Sequence, residues 1–155
     1  MERERIRYNN LTMVLYIMVD VLKRSGRMDM VRMAVLTAML QDDVIVQLLT
    51  GKNENLNFAN LRMLNKNMMV NINKRFYHTL PLMVNATSML LDAGFMTIRD
   101  GEMQLVEDGN KDVFAEMGTV EGRTARRIDE VLPKMLAVCE GVTTKRMIKT
   151  LNIEI

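Results

Sequence analysis

The sequence predicts a single domain that is mainly α-helical with one β-hairpin, a winged-helix-like α+β fold. Apolar residues recur at helical spacing along most of the 155 residues, and two alternating runs flank the dipeptide Asp100-Gly101. A two-residue Asp-Gly loop between alternating runs is a strong hairpin signal. Gly94 separates the hairpin from an apolar helical segment that precedes it. The order helix, glycine, hairpin over residues 79–108 predicts the core of a winged helix.

The alternating runs predict one register for the hairpin, in which every pair joins two apolar or two polar residues. The predicted pairs are Met96 with Leu105, Thr97 with Gln104, Ile98 with Met103, and Arg99 with Glu102. One face of the hairpin is then apolar, and the other is polar with one pair of opposite charges. We therefore expect the four apolar side chains, Ile98 among them, to cover the core.

The N-terminal third predicts an arm and three helical segments. Residues 1–10 alternate acids and bases, as in a solvated arm, whereas Leu11–Leu22 is apolar on nearly every face. Such a helix is buried between others or inside an assembly, so we expect a partner to cover part of it. A second helix is predicted from about Asp29 to Leu40, although alternation at its start also fits a short strand. Val44–Leu49 is a short apolar segment that ends before Gly51.

The middle of the chain, Leu56–Leu80, carries apolar residues at helical spacing. One long helix or two shorter helices satisfy the pattern, and the interleaved asparagines, which are poor helix formers, predict a break near Asn65–Asn67. The helix before the hairpin is predicted to begin after Thr79, a capping residue, with Pro81 near its first turn. It should end at Gly94.

The chain after the hairpin divides at one flexible junction. Residues 107–110 predict a turn, residues 111–117 a short helix and residues 118–122 the junction. The helical core therefore covers residues 11–117, and a C-terminal helical segment, residues 123–155, is expected to pack on the same domain.

The C-terminal segment predicts two helices. Pro133 lies inside the first of them and is predicted to kink or divide it at Leu132. Gly141 ends this part of the pattern. Thr143 or Thr144 can then cap a final helix.

Composition places the chain among cytoplasmic globular proteins. The residues are 48% hydrophobic and 26% charged, and a net charge of +2 argues against a dedicated nucleic-acid binder. A single cysteine rules out an internal disulfide and fits a reducing compartment. No signal-peptide pattern is present, and the apolar run Met13–Val19 is far shorter than the roughly 20 residues of a membrane span.

Methionine is unusually abundant, with seventeen residues and no tryptophan. Flexible, polarisable methionines can line a promiscuous binding surface, or they can replace leucine and isoleucine in a core. Most of these methionines occupy positions where helical spacing calls for an apolar side chain, as Met33 does beside Leu36 and Leu40. We therefore expect them to form core.

No catalytic, cofactor or metal constellation is visible in the sequence. His78 is the only histidine and has no metal-ligand companions at a suitable spacing, and Cys139 lies on an apolar face without a neighbouring base. The adjacent carboxylates Asp42 and Asp43 are interpreted as a cap, since neighbours on a helix do not face one another. Glycine-rich phosphate loops do not occur. The chain is predicted not to be an enzyme, with no cofactor, no metal and no small-molecule substrate.

Many winged helices bind DNA, so DNA binding is one hypothesis for this chain. The distribution of charged residues argues against it. The predicted recognition helix, Leu80–Asp92, contains no lysine or arginine. The wing offers Arg99 alone as a cation, and it also carries Glu102, Glu107 and Asp108, which would repel phosphate. Phosphate anchoring and base reading both depend on arginine and lysine. Sequence-specific DNA binding through this motif is therefore not expected.

Basic residues cluster nearer the C-terminus. Helical spacing places them on two faces, which are formed by Arg123, Arg126 and Arg127, and by Lys145, Arg146 and Lys149. A solvated surface is the simplest interpretation of both faces. The alternative is that these six residues contact a partner, either an acidic protein surface or, nonspecifically, nucleic acid.

The order of these features resembles that of the middle component of three-component ABC-ATPase conflict systems, the group that includes the Lamassu-type bacterial defence systems. The resemblance covers almost the whole chain as an arrangement. It rests on the apolar helix from Leu11, the segments Val31–Leu49 and Leu56–Tyr77, Leu80-Pro81-Leu82 entering a helix, the junction Asp92-Ala93-Gly94-Phe95, the short hairpin, and the pattern from Ala125 to Ile153.

The resemblance implies a small, non-catalytic accessory subunit that bridges an SMC-like ABC ATPase and an effector in a bacterial defence complex against phages and plasmids. Its partners would be those two proteins, with nonspecific DNA contact inside the complex as a further option and no contact with a membrane. Two other functions fit the same fold: a winged-helix DNA-binding transcriptional regulator, and an accessory subunit of a chromosome-condensing SMC complex.

Overall fold

The computed structural model describes residues 2–51, 56–64, 66–106 and 123–155, and this part of the chain contains seven α-helices and three β-strands. The elements in order are α1 (Glu2–Ser25), β1 (Arg27–Asp29), α2 (Met30–Leu40), α3 (Asp43–Thr50), α4 (Phe58–Leu64), α5 (Lys66–Asp92), β2 (Met96–Arg99), β3 (Glu102–Leu105), α6 (Arg123–Cys139) and α7 (Thr144–Thr150). The turn, short helix and junction predicted over residues 107–122 lie outside the described residues.

Helix α2 lies at the centre of the fold and packs against α1, α3, α5, α6, α7 and β1. The Asp29 carboxylate caps its start, accepting a hydrogen bond from the backbone N–H of Arg32 at 2.8 Å. The residues from Met33 to Leu40 are all buried. A helix that is apolar all round must be enclosed by others, so the core is built around α2.

The three strands form one antiparallel sheet in the order β1-β3-β2. The predicted hairpin register is confirmed at all four pairs between β2 and β3. The turn residues Asp100 and Gly101 have φ angles of +53° and +77°, as a two-residue type I′ turn requires. The short strand β1 pairs with the other edge of β3, with Met28 opposite Met103. The described part of the chain is mainly helical with one small antiparallel sheet, so the predicted mainly α, α+β fold class is confirmed.

The hairpin covers the core with only part of its apolar face. Met96 and Met103 are buried and Leu105 is half-buried, as predicted. The Ile98 side chain is 43% exposed, so the prediction that Ile98 covers the core is wrong. Ile98 lies on the edge strand near the turn, whereas Met103 lies on the central strand with neighbours on both sides.

Helix α1 is longer than predicted. The backbone of residues 2–10, predicted as an arm, is helical and continues directly into Leu11–Leu22. None of the residues 11–22 is exposed, because α1 packs against α2, α5, α6 and β3. The chain itself therefore covers this apolar helix, and the expectation that a partner covers part of it is wrong.

Helix α5 is one continuous helix of 27 residues, so the predicted helix start after Thr79 is wrong. Thr79 is buried within the helix, and Pro81 follows on the exposed side. Buried residues at helical spacing, from Ile72 to Met83, continue through the proline. Burial of this continuous apolar face outweighs the loss of a backbone hydrogen bond at proline, which costs about 3 kcal/mol in a helix interior.

Several helix ends follow the sequence signals. The break predicted near Asn65–Asn67 falls on Asn65, which lies outside the described residues between the end of α4 at Leu64 and the start of α5 at Lys66. At the end of α5, Gly94 has a φ of +75°, and the N–H groups of Gly94 and Phe95 donate to the carbonyls of Leu91 and Leu90. This is a Schellman motif, for which glycine is the favoured residue.

The C-terminal segment packs on the central helix. Helix α6 remains helical through Pro133 and is not divided there. The Thr143 hydroxyl caps α7 by accepting a hydrogen bond from the Arg146 N–H, as predicted. Met147 and Leu151 are buried, and both α6 and α7 contact α2.

The methionines are mainly core residues. Of the twelve whose side chains are described, nine are buried, two are half-buried and Met89 is exposed. The interpretation of methionine as a substitute for leucine and isoleucine is confirmed for these positions.

Two helices meet the length and composition of a membrane span only as a pair. These are α2 and α3, which are bent by 80° at the break between them. Within the described ranges, no single helix is long and apolar enough to cross a membrane.

Candidate functional site

The exposed side of α5 carries a row of apolar side chains. Val70, Tyr77, Val84 and Leu91 follow one another at seven-residue spacing and are 56, 47, 53 and 39% exposed. Pro81, which is also exposed, lies between Tyr77 and Val84. Residues seven apart occupy one face of a helix. These five residues therefore form a single surface, called here the α5 stripe.

The α5 stripe faces away from the core. The buried residues of the same helix, among them Ile72, Phe76, Met83 and Leu90, form a second row at helical spacing. At 3.6 residues per turn, the two rows lie on opposite sides of the helix. A surface helix normally keeps polar residues on its solvent side, so the α5 stripe is a feature that packing among the described residues does not explain.

Few cations border the α5 stripe. Lys74 is exposed, whereas Arg75 is half-buried, with its Nε 3.8 Å from a carboxylate oxygen of Asp42. From Phe76 to Asp92 the helix contains no lysine or arginine. The helix before the hairpin is the one that a DNA-binding winged helix places in the groove. Its apolar, cation-poor surface suits a protein better than phosphate.

The basic face predicted on α7 is present. Lys145, Arg146 and Lys149 are all exposed. Helix α7 contains no acidic residue, so its outer surface is positively charged. This face can attract an acidic protein surface or phosphate.

The basic face predicted on α6 has a mixed charge. Arg126 and Arg127 are exposed, but an Arg127 nitrogen lies 2.6 Å from the Asp43 carboxylate. This hydrogen bond and charge lower the pKa of Asp43. Asp129 and Glu130 are exposed on the same helix, and the side chain of Arg123 lies outside the described part of the chain. Among the described side chains, α6 therefore carries no uniformly basic surface.

A polar network joins α2 to the C-terminal helices. The Arg32 guanidinium donates to the backbone carbonyls of Val142 and Cys139, at 2.5 and 2.8 Å. The Asp29 carboxylate accepts a hydrogen bond from the Thr144 hydroxyl at 2.8 Å. Arg32 thus adds a donor to the Cys139 carbonyl at the end of α6, which also accepts from the Val142 N–H, and to the Val142 carbonyl in the following turn. A cation near the end of a helix is also favoured by the helix dipole.

Sequence reasoning missed the role of Arg32. Its partners lie 107 and 110 residues further along the chain. No local pattern reports a contact at that separation. The one available signal is a lone arginine in a helix that is otherwise almost entirely apolar.

Asp42 and Asp43 occupy the positions expected of a cap. The Asp42 carboxylate is buried and accepts hydrogen bonds from the N–H groups of Val44 and Ile45, at 3.0 and 3.1 Å. Asp43 lies in the first turn of α3 and contacts Arg127. The interpretation of Asp42 as a helix cap is confirmed.

His78 and Cys139 lie apart in different environments. His78 is exposed and lines a surface cleft of about 440 Å³, together with Arg75 and Arg127, each of which has a carboxylate partner. Cys139 is buried, and burial raises the pKa of its thiol from 9.0 to about 11. The predicted buried thiol is confirmed. No group of three or more potential metal ligands occurs among the side chains that the structure describes.

The comparisons with known proteins give no relative for this chain. No model of a protein family, no curated protein and no solved structure matches the sequence or the fold.

Proposed function

We propose that this chain is a non-catalytic accessory subunit that acts by binding other proteins. The observation that carries the proposal is the α5 stripe, an apolar row at the recognition-helix position. At 1.5 Å per residue, the row extends for about 32 Å from Val70 to Leu91. Exposed apolar side chains grouped on one face are typical of protein-interaction sites.

The resemblance found in the sequence supplies the partners of this proposal. The chain would bridge an SMC-like ABC ATPase and an effector in a cytoplasmic bacterial defence complex. The charge of α7 supports docking to an acidic surface of one partner, through Lys145, Arg146 and Lys149. Contacts of this kind steer association and weaken as salt is raised.

Copurification tests the proposal. The tagged chain, expressed with the products of its neighbouring genes, is expected to retain an SMC-like ATPase and an effector at low salt. Reversing the α7 charges with Lys145→Glu, Arg146→Glu and Lys149→Glu should weaken that association. A matched variant that reverses three exposed cations elsewhere, Lys23→Glu, Arg24→Glu and Arg27→Glu, should not.

A DNA-binding titration of the isolated chain at physiological salt tests the alternative function of a transcriptional regulator. Tight, sequence-dependent DNA binding without association with any neighbouring gene product would overturn the proposal in favour of a transcriptional regulator. Association with the ATPase of a chromosome-condensing complex, and with no effector, would place the subunit in that machinery instead.

A further inference from the structure

The α5 stripe has a symmetry that a second copy of the chain can match. Its large side chains occur at equal intervals, at positions 70, 77, 84 and 91, and Pro81 lies next to the midpoint. If a second α5 lies antiparallel about that midpoint, Val70 faces Leu91 of the second copy and Tyr77 faces Val84 of the second copy. The same row then contacts itself throughout, as a two-fold interface requires. Residues seven apart also stay on one side of a helix, so the row can face a second helix along its length.

The charged residues beside the α5 stripe favour antiparallel over parallel pairing of two α5 helices. Lys74 and Asp92 are both exposed on α5. In a parallel pair, each of these residues would lie level with its own copy on the opposite side of the interface, and Lys74 would be about 27 Å along the axis from Asp92 of the second copy, so neither charge would gain an opposite partner. In the antiparallel pair, at 1.5 Å per residue, the two lysines are about 20 Å apart along the axis, and Lys74 lies about 8 Å from Asp92 of the second copy. Opposite charges are thus the nearer neighbours, which favours the antiparallel pair.

We propose that the α5 stripe binds the α5 stripe of a second copy of this chain in an antiparallel, two-fold pair centred near Pro81. The inference rests on the proposed use of the α5 stripe for protein contact, and it names the occupant. The accessory subunit would then present two α7 faces, one from each copy, to its partners.

The surface area that the α5 stripe can bury indicates how stable the dimer is. A row about 32 Å long on a helix about 10 Å wide has a footprint of roughly 600 Å² over two copies. Stable interfaces bury about 1,200–2,000 Å² in total. The pair is therefore a weak dimer that forms as the protein concentration rises.

Cysteine cross-linking tests the geometry. Pro81→Cys places a thiol beside the two-fold axis, where it meets its own copy, whereas Val70→Cys places a thiol about 32 Å from its copy. Under oxidation, the purified Pro81→Cys protein should form a covalent dimer many times faster than Val70→Cys, although both positions are exposed. The wild type, whose only cysteine is buried, gives the background.

Sedimentation measures the same pairing without cross-links. The weight-average mass of the wild type should rise above that of one chain with increasing concentration. Val84→Lys places two charges against Tyr77 of the paired copies and should remain monomeric at every concentration. Ala137→Lys adds the same charge at an exposed position of α6 and should behave as the wild type does.

Three results would overturn the inference. They are equal cross-linking at positions 70 and 81, no cross-linking of Pro81→Cys above background, and a wild type that stays monomeric at the highest concentration. If Val84→Lys loses a neighbouring gene product while Pro81→Cys does not cross-link, the stripe binds a different protein, and the proposed function stands without the second copy.

Discussion

Arg32 illustrates how one charged side chain fixes the position of a distant segment. Its guanidinium binds two carbonyls at the junction of α6 and α7, while its own N–H is capped by Asp29. Arg32→Met keeps a side chain of similar length but leaves both carbonyls without this donor. We expect a loss of about 1–3 kcal/mol in the free energy of unfolding.

Urea denaturation of matched variants measures this loss. Arg24→Met removes an exposed arginine that pairs with Asp20 one turn earlier, and it should cost under about 0.5 kcal/mol. Equal losses in the two variants would show that Arg32 does not hold the C-terminal helices on α2.

Thr87 carries the one buried side-chain oxygen in the described part of the chain that has no hydrogen-bond partner. Thr87→Val replaces that hydroxyl by a methyl group of similar shape, so we expect a gain in thermal stability equivalent to up to about 1 kcal/mol. Thr37 is the matched control, since its buried hydroxyl donates to the Met33 carbonyl at 2.8 Å. Thr37→Val should lower the melting temperature, and a decrease in both variants would contradict the assignment of Thr87.

Because Cys139 is buried, we expect the free energy of unfolding to fall as the pH rises above 9. Burial raises the pKa of the thiol from 9.0 to about 11. Below pH 9 the thiol is protonated in both the folded and the unfolded chain, so ionisation of the thiol does not reduce the free energy of unfolding. Between pH 9 and 11 only the unfolded chain ionises, so stability falls, by about 2–3 kcal/mol across this window.

The difference between the wild type and Cys139→Val isolates this effect. We expect the wild type to lose stability relative to the variant as the pH rises from 8 to 11 in urea denaturation. Tyr16 does not contribute to the difference, because burial and Asp129 raise the pKa of its hydroxyl equally in both proteins. A difference that is independent of pH would contradict the burial of the thiol.

The two ends of strand β2 in the hairpin differ in burial. Met96 is buried where β2 enters the sheet, and Ile98 is exposed beside the turn. Met96→Asp should therefore cost several kcal/mol, because it buries an unpaired carboxylate, and Ile98→Asp should cost under about 1 kcal/mol. Thermal denaturation of both variants measures the contrast, and a similar loss in each would place Ile98 in the core.

Local elements were predictable where a few neighbouring residues determine the outcome. The hairpin register follows from the turn dipeptide and two alternating runs, and the α7 cap follows from Thr143. The start of α5 was not predictable in the same way. Proline signals a helix start, and burial of an apolar face on both sides of Pro81 overrode that signal.

Tertiary contacts account for the remaining differences from the sequence predictions. The strand β1 is three residues long and exists because β3 supplies its hydrogen bonds. Arg32 has its partners in the last third of the chain, and α1 is covered by elements from the whole sequence. The α5 stripe was missed because an apolar residue at helical spacing is normally assigned to the core, and only the packed structure separates the two apolar faces of α5.

The whole molecule should unfold as one unit, since α2 contacts both the N-terminal helices and the C-terminal segment. Reaction of Cys139 with a thiol reagent reports on the C-terminal segment, and far-ultraviolet circular dichroism reports on all helices. We expect the two transitions to coincide in urea, as two-state unfolding requires. Exposure of Cys139 at lower urea than the loss of helix would show that residues 123–155 form a separate unit.

The pairing of β1 with β3 also constrains the order of folding. Met28 and Met103, which face one another, are 75 residues apart in the chain, whereas β2 and β3 are joined by two residues. Closing a long loop carries an entropic cost that the hairpin does not incur, and contacts distant in sequence form slowly. The hairpin can therefore form within microseconds as a local event. We expect the third strand to join only after α2 and α5 have brought the two ends of that loop together, which makes completion of the sheet a late step in folding.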